Sequence, residues 1–309
     1  MAKTEVTERT QAAPSSVPST APQSPPAVNV WRASLRAIYI LWLRDVVRFW
    51  RDRGRLAGSF AMPVLYLVIF GTGLSSTLGR GMGGARSALG VGAAGFDYVT
   101  FMYPGIIGMT VLFTSIFSAM SIVWDREFGF LKEVMVAPIN RSSIAIGKVL
   151  GGTTLAMIQG LVLLILAPFA GVKLTVWSIL EVLPLTFALA FALSALGVAV
   201  ASRMRSMQGF QAVMNFLLMP MFFLAGALFP LNGLPGWLTV LTRIDPAAYG
   251  IDPIRRVVLS GSGLPDRLVN ALALTIGGRA LAIPLEFGIT IAFGLVFLSL
   301  AVYNFRRAE

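Results

Sequence analysis

The chain has 309 residues, 56% of them apolar and only 13% charged, with a net charge of +11 and neither cysteine nor histidine. Apolar runs of about twenty residues recur along it, which identifies an integral membrane protein built on spanning helices. The missing residue types exclude a disulfide framework, a Ser-His-Asp or Cys-His nucleophile and a histidine metal site, and the dispersal of arginine over short segments between apolar runs argues against nucleic acid as a partner.

Residues 1–29 are rich in Pro, Ser, Ala, Thr and Gln and lack the apolar core of a secretory signal, so an uncleaved, disordered tail is expected. Trp31, Leu35, Ile38, Trp42, Val46 and Phe49 then recur at three- and four-residue steps, with Arg32, Arg36, Arg44, Arg48 and Arg51 opposite. This pattern over 30–55 predicts an amphipathic helix in the headgroup layer. Residues 56–309 form one further unit, with six spans expected at roughly 56–75, 101–124, 149–172, 177–201, 209–231 and 283–303. The first outer loop, 77–97, is glycine-rich.

The segment 126–148 is the one polar interruption with a helical pattern of its own. Phe130, Leu131, Val134 and Met135 would share one side of a short helix, with Glu127, Lys132 and Glu133 largely off it. Pro138 stops that helix, and Asn140 or Ser142 can cap the next. The segment 232–282 holds two apolar stretches too short to span, LPGWLTVL and YGIDPIRRVVL, which suggest two short helices dipping into the outer leaflet and returning; a small cap outside the membrane is the alternative. Of the twenty-five basic residues, seventeen fall in the tail, the 126–148 segment and the other segments on that side, so both termini are expected in the cytoplasm.

No phosphate-cradling loop is present: Gly147-Lys148 is followed by Val149, and Ser142 stands where GxxxxGK needs its first glycine. Gly147 and Gly151 form a GxxxG pair, for which packing within the chain is the simpler reading. Two carboxylates lie in spans, Glu181 in the fourth and Glu286 in the sixth. An intramembrane charge raises the idea of proton coupling or a cationic substrate, but both lie near the outer end of their span, and snorkelling to the interface is the expectation.

Arg126-Glu127, Gly129, the Leu-bearing short helix, Ala137-Pro138-Ile139, Arg141 and Gly147-Lys148 together resemble the cytoplasmic segment of ABC type-2 export permeases, the daunorubicin-resistance and nodulation-factor exporter group. Phe229-Pro230-Leu231, Leu234 to Leu238 with Pro235 and Trp237, Asp245-Pro246, Tyr249, Asp252 and Arg255 resemble the outer hairpin that such permeases carry before the last span. One departure is Asp245, where the family more often has Asn. The resemblance covers the chain from Trp31 onward. It implies an all-α membrane protein of six transmembrane helices, preceded by an amphipathic interface helix and carrying a short outer-leaflet helical hairpin.

It further implies a permease subunit that pairs with a second copy or a sister permease and exports an amphipathic drug, lipid or lipid-linked glycan across a bacterial cell membrane. ATP and Mg would be bound by a separate ABC ATP-binding subunit and no cofactor by this chain. Arg126, Glu127, Gly129, Phe130, Leu131, Val134, Pro138 and Arg141 would form the coupling segment that meets that subunit. Two other classes are kept: an ion-coupled carrier using Glu181 and Glu286, and a membrane-embedded lipid-modifying enzyme.

Overall fold

A computed structural model describes residues 30–80, 98–129, 140–227, 235–263, 265–276 and 279–307. The fold is helical, with α1 Val30–Arg51, α2 Arg53–Arg80, α3 Tyr98–Ser118, α4 Met120–Glu127, α5 Arg141–Leu166, α6 Val176–Ala201, α7 Met207–Leu224, α8 Gly236–Ile244, α9 Pro246–Gly261, α10 Asp266–Ala271 and α11 Ile283–Arg307. A two-residue antiparallel pair, β1 Thr275–Ile276 with β2 Arg279–Ala280, precedes α11. Among the described residues five helical stretches are long and apolar enough to cross a membrane: Val99–Glu127, Arg141–Ala170, Val176–Ala201, Met207–Leu224 and Ile283–Arg307. They coincide with five of the six expected spans, and α2 is a single helix over the place of the other.

The bundle is organised around α6, which packs against α3, α5, α9 and α11. Its C-terminal half is dense in small residues, and the close approaches are built on glycine: a methyl at Gly197 would lie 2.9 Å from the carbonyl oxygen of Ile116 on α3. In lipid, where burial of apolar surface between helices has little driving force, such backbone proximity supplies the packing attraction. The helix α3 gives way to α4 at Ala119, where Ser118 Oγ bonds the Ser115 carbonyl at 2.6 Å and the backbone closes three-residue turns. A hydroxyl competing for a backbone acceptor in this way bends a helix.

The N-terminal helix is present over Val30–Arg51, within the expected 30–55. It follows α5: Asn140 N bonds Ser34 Oγ at 3.3 Å, Gly147 faces Ile38 and Leu41, and Gly151 faces Asp45. The GxxxG pair therefore serves packing within the chain. The buried stripe of α1 is Ser34, Leu41, Asp45 and Phe49, whereas Trp31 and Leu35, placed with it by the periodicity, are 70% and 51% exposed. A 3.6-residue repeat shows that one face is apolar, but which part of it meets the bundle depends on where α5 lies.

Before the last long helix, α8 and α9 form a hairpin with Asp245 alone between them. The helix α9 is buried from Ala247 to Leu259 and packs against α3, α6 and α11. Gly250 lies against Leu189 and Gly261 against Ser178, so α9 runs antiparallel to α6. Its N-terminal end lies about 16 Å further along α6 than its C-terminal end, at a rise of 1.5 Å per residue. The α9 arm of the hairpin is thus wedged among the long helices, whereas α8 buries only Thr242 and leaves Trp237 and Ile244 exposed.

Candidate functional site

Among the described residues several groups of polar side chains interrupt the apolar bundle, and three of them contain both acidic and basic residues. The first is at the α6–α7 turn. Arg126, in the last turn of α4, donates to the carbonyl oxygens of Ser202 at 2.8 Å, Ala201 at 3.5 Å and Met204, all at the C-terminal end of α6. Its neighbour Glu127 accepts from the backbone N–H of Met207, the first residue of α7, at 3.2 Å. A cation thus sits on the carbonyl end of one helix and an anion on the N–H end of the next, each where the helix dipole favours its sign.

Gly129 follows with φ 83°, and its N–H and that of Phe128 close α4 on the Arg126 and Trp124 carbonyls at 3.2 and 3.1 Å. A left-handed residue ending a helix is the place for glycine. Arg141, exposed at the start of α5, donates to the Arg306 carbonyl at 3.4 Å, which ties the C-terminal end of α11 to the same face. Phe130, Leu131, Val134 and Pro138 lie outside the described residues.

The second group is a buried ion cluster joining α1, α4 and α5. Lys148, 3% exposed, lies 3.1 Å from Asp45 and 3.1 Å from Asp125 and donates to Ser121 Oγ at 2.9 Å. Arg44 completes it at 2.5 Å from Asp125 and 3.7 Å from Asp45. Two cations face two anions, which is the condition for burying charge at all. The sequence reading missed Asp45 and Asp125. A carboxylate four residues after Leu41 on the buried stripe was the available signal for Asp45, whereas Asp125 was hidden in the charged run that ends α4.

The third group is the α8–α9 hairpin. Pro235 precedes α8, Trp237 stays 68% exposed, and Pro246 opens α9, where Asp245 accepts from Ala247 N–H at 2.9 Å. An asparagine oxygen caps equally well, so the departure at Asp245 leaves the local structure unchanged. The Tyr249 hydroxyl donates to the Arg243 carbonyl at 2.7 Å. Arg255, 1% exposed, donates to the Gly226 carbonyl and lies 5.0 Å from the centre of the Phe101 ring.

Arg256 sits 3.1 Å from Asp252, bonds Glu286 and donates to the Leu281 carbonyl at 2.7 Å. Asp252 also accepts from Leu274 N–H at 3.0 Å. Glu286 is therefore fully buried and paired with a cation, not turned out to the interface as expected. The first turn of α11 faces α9, where the cation is already in place. Glu181, by contrast, is exposed near the start of α6.

The structure brings Arg126, Glu127 and Gly129 together at one end of the bundle and collects Pro246, Tyr249, Arg255 and Glu286 toward the other. Arg126 meets the carbonyl oxygens of residues 201–204 at the C-terminal end of α6, whereas Gly250 and Gly261 of α9 lie against Leu189 and Ser178. Residues 36–259, which run from within α1 to within α9, match the model of the ABC-2 type transporter family. The chain is 27% identical to a protein named as transport permease ycf38 of Cyanophora paradoxa, over 72% of this chain and 73% of that one. It is 27% identical to Nodulation protein J of Rhizobium meliloti (strain 1021), over 74% and 81%. It is 29% identical to the ycf38 protein of Porphyra purpurea, over 72% and 74%. With more than two-thirds of its length inside that family model, on helices that carry both the α4 end and the α8–α9 hairpin, the chain belongs to the ABC-2 type transporter family.

Proposed function

We propose that the chain is the permease subunit of an ATP-driven exporter, in which two permease chains meet across α7 and an amphipathic or lipophilic cargo passes between them. One observation carries this reading. The helix α7 is apolar enough to span, yet Gln208, Gln211 and Asn215 fall on one face of it and are exposed, beside Phe216, which is 84% exposed. The exposed face of α11 offers the contrast: Leu285, Leu295, Val296 and Leu300, with Ser299 bonded back to the Leu295 carbonyl at 2.7 Å. Amides without partners are costly against hydrocarbon, whereas an apolar face is at home there. The α11 face suits lipid, and the α7 face suits a second chain or a hydrated path.

In this reading α2 is the sixth crossing, α1 contacts the inner headgroups and both termini lie in the cytoplasm of a bacterial cell. A separate ATP-binding subunit, carrying ATP and Mg, docks on the inner side at the segment after Arg126. Because Arg126 and Glu127 hold the α6–α7 turn, a displacement of α4 by that subunit pulls directly on the base of α7. The charge pairing of Glu286 with Arg256 weakens the ion-coupled alternative.

The test uses the absence of cysteine from the chain. Single cysteines at Gln211, at Asn215 and, as a lipid-facing control, at Leu295 are oxidised in native membranes. Disulfide dimers at the α7 positions and none at Leu295 are expected; monomer throughout would overturn the α7 interface.

A further inference from the structure

A cleft of about 430 Å³ lies between α1, α2, α3 and α5. Its walls are apolar, with Phe49 of α1, Met62 and Pro63 of α2, Phe113 and Phe117 of α3 and Leu155 of α5 among them. The two phenylalanine rings stack with centroids 6.3 Å apart. Gln159 of α5 and Thr114 of α3 also line it. Gln159 is 1% exposed; its Oε1 accepts from the Thr114 hydroxyl, and its Nε2 has no partner among the described residues. Whichever way the amide is turned, one hydroxyl cannot satisfy both of its ends.

We infer that this cleft is a binding site for an elongated lipophilic molecule carrying an oxygen acceptor, such as a ketone or ester carbonyl, whose oxygen takes the hydrogen bond that Gln159 Nε2 has to give. A buried amide N–H without a partner is a rare and costly feature of a folded chain, and the cleft beside it has the size of a small-molecule site. A bare alkyl chain fills the volume but leaves the donor unanswered. A carbonyl compound does both. Met62, which lines the cleft, is 55% exposed, so the cleft reaches the surface of the chain there. The site rests on its own geometry; its use for cargo rests on the exporter reading above.

The experiment uses the full chain in lipid nanodiscs, without any ATPase. An alkyl benzophenone serves as the probe, because its carbonyl is the proposed acceptor and irradiation fixes it to nearby C–H bonds that peptide mass spectrometry locates. Labelling is competed by hexyl benzoate, which carries an acceptor, and by heptylbenzene, which does not. In the wild type, label is expected on the peptides of Met62, Met109 and Leu155. Hexyl benzoate should compete at about five-fold lower concentration than heptylbenzene, after correction for partitioning measured in empty discs, as one hydrogen bond provides.

Gln159→Leu should remove that preference while keeping the label, because an apolar residue of similar size leaves the cleft in place. Met62→Trp, a change at an exposed position, should block labelling by both routes. Label spread over lipid-facing helices, or an ester preference that survives Gln159→Leu, would overturn the site. Since nothing is transported in this measurement, its failure leaves the α7 interface standing, and loss of that interface leaves the site standing.

Discussion

Removing the positive charge from the α1–α4–α5 cluster tests how the N-terminal helix is held. Lys148→Met keeps the length and most of the volume of the side chain but leaves Asp45 and Asp125, 9% and 7% exposed, facing one another's charge. Breaking a buried ion pair by removing one partner costs about 3–5 kcal/mol. The lower end applies, because Arg44 remains 2.5 Å from Asp125 and 3.7 Å from Asp45. At about 2–4 °C per kcal/mol for a domain of this order of size, the detergent-solubilised variant should melt roughly 6–12 °C below wild type.

The double variant Asp45→Asn with Lys148→Met restores a one-to-one balance between Arg44 and Asp125 and should recover about half of that loss. The assay is thermal unfolding of both variants, followed by size-exclusion recovery of the monodisperse peak. Melting of Lys148→Met within about 2 °C of wild type, or a double variant less stable than either single, would refute the reasoning that these charges hold one another.

Glu286→Gln should cost little, since Arg256 keeps Asp252 at 3.1 Å, whereas Arg256→Met strands two buried carboxylates and should cost about 3 kcal/mol or more, read as loss of recoverable protein. Gly129→Ala puts a side chain at φ 83° and should destabilise by about 1 kcal/mol, seen as a shift of about 2–4 °C in the same melting assay. Glu127→Gln keeps an acceptor for Met207 N–H while Glu127→Lys does not, so if the α6–α7 turn carries coupling, Gln should retain substrate-stimulated ATPase in vesicles containing the partner subunit and Lys should lose it. Equal losses would assign the role to charge rather than to the turn. Cysteines at Ser206 and Ser262, probed on intact cells with an impermeant thiol reagent, should label only at Ser262, and the reverse pattern would invert the proposed topology.

The polar groups at the two ends of the bundle have different physical characters. At the α6–α7 turn, Arg126 and Glu127 satisfy backbone groups that every helix end leaves open, so their partners are main-chain atoms and the geometry is local. In the hairpin, Arg256 answers two carboxylates from separate elements, so α9 and α11 are held together through charge. The joint at the α6–α7 turn is thus made of hydrogen bonds to main-chain atoms, whereas that at the hairpin is made of paired charges.

Composition and apolar run length alone determined that this is a helical membrane protein, and located five long helices, three of them within four residues at both ends; the helix from Arg141 begins eight residues before its expected start and the helix from Met207 ends seven before its expected end. Lipid leaves a spanning backbone little choice but to satisfy its hydrogen bonds within each helix, so local sequence suffices there. The two short apolar stretches before the last helix were legible for the same reason. Tertiary structure alone decided what the charges do. Glu286 looked like an interfacial carboxylate until α9 brought Arg256 to it, and Asp45 looked like one more polar position until α5 brought Lys148. Glu127 looked like a free docking charge until the first N–H of α7 arrived beside it. Periodicity records which residues share a face of one helix; whether that face meets lipid, a counter-charge or another helix is set by neighbours distant in the chain, and no local pattern encodes their arrival.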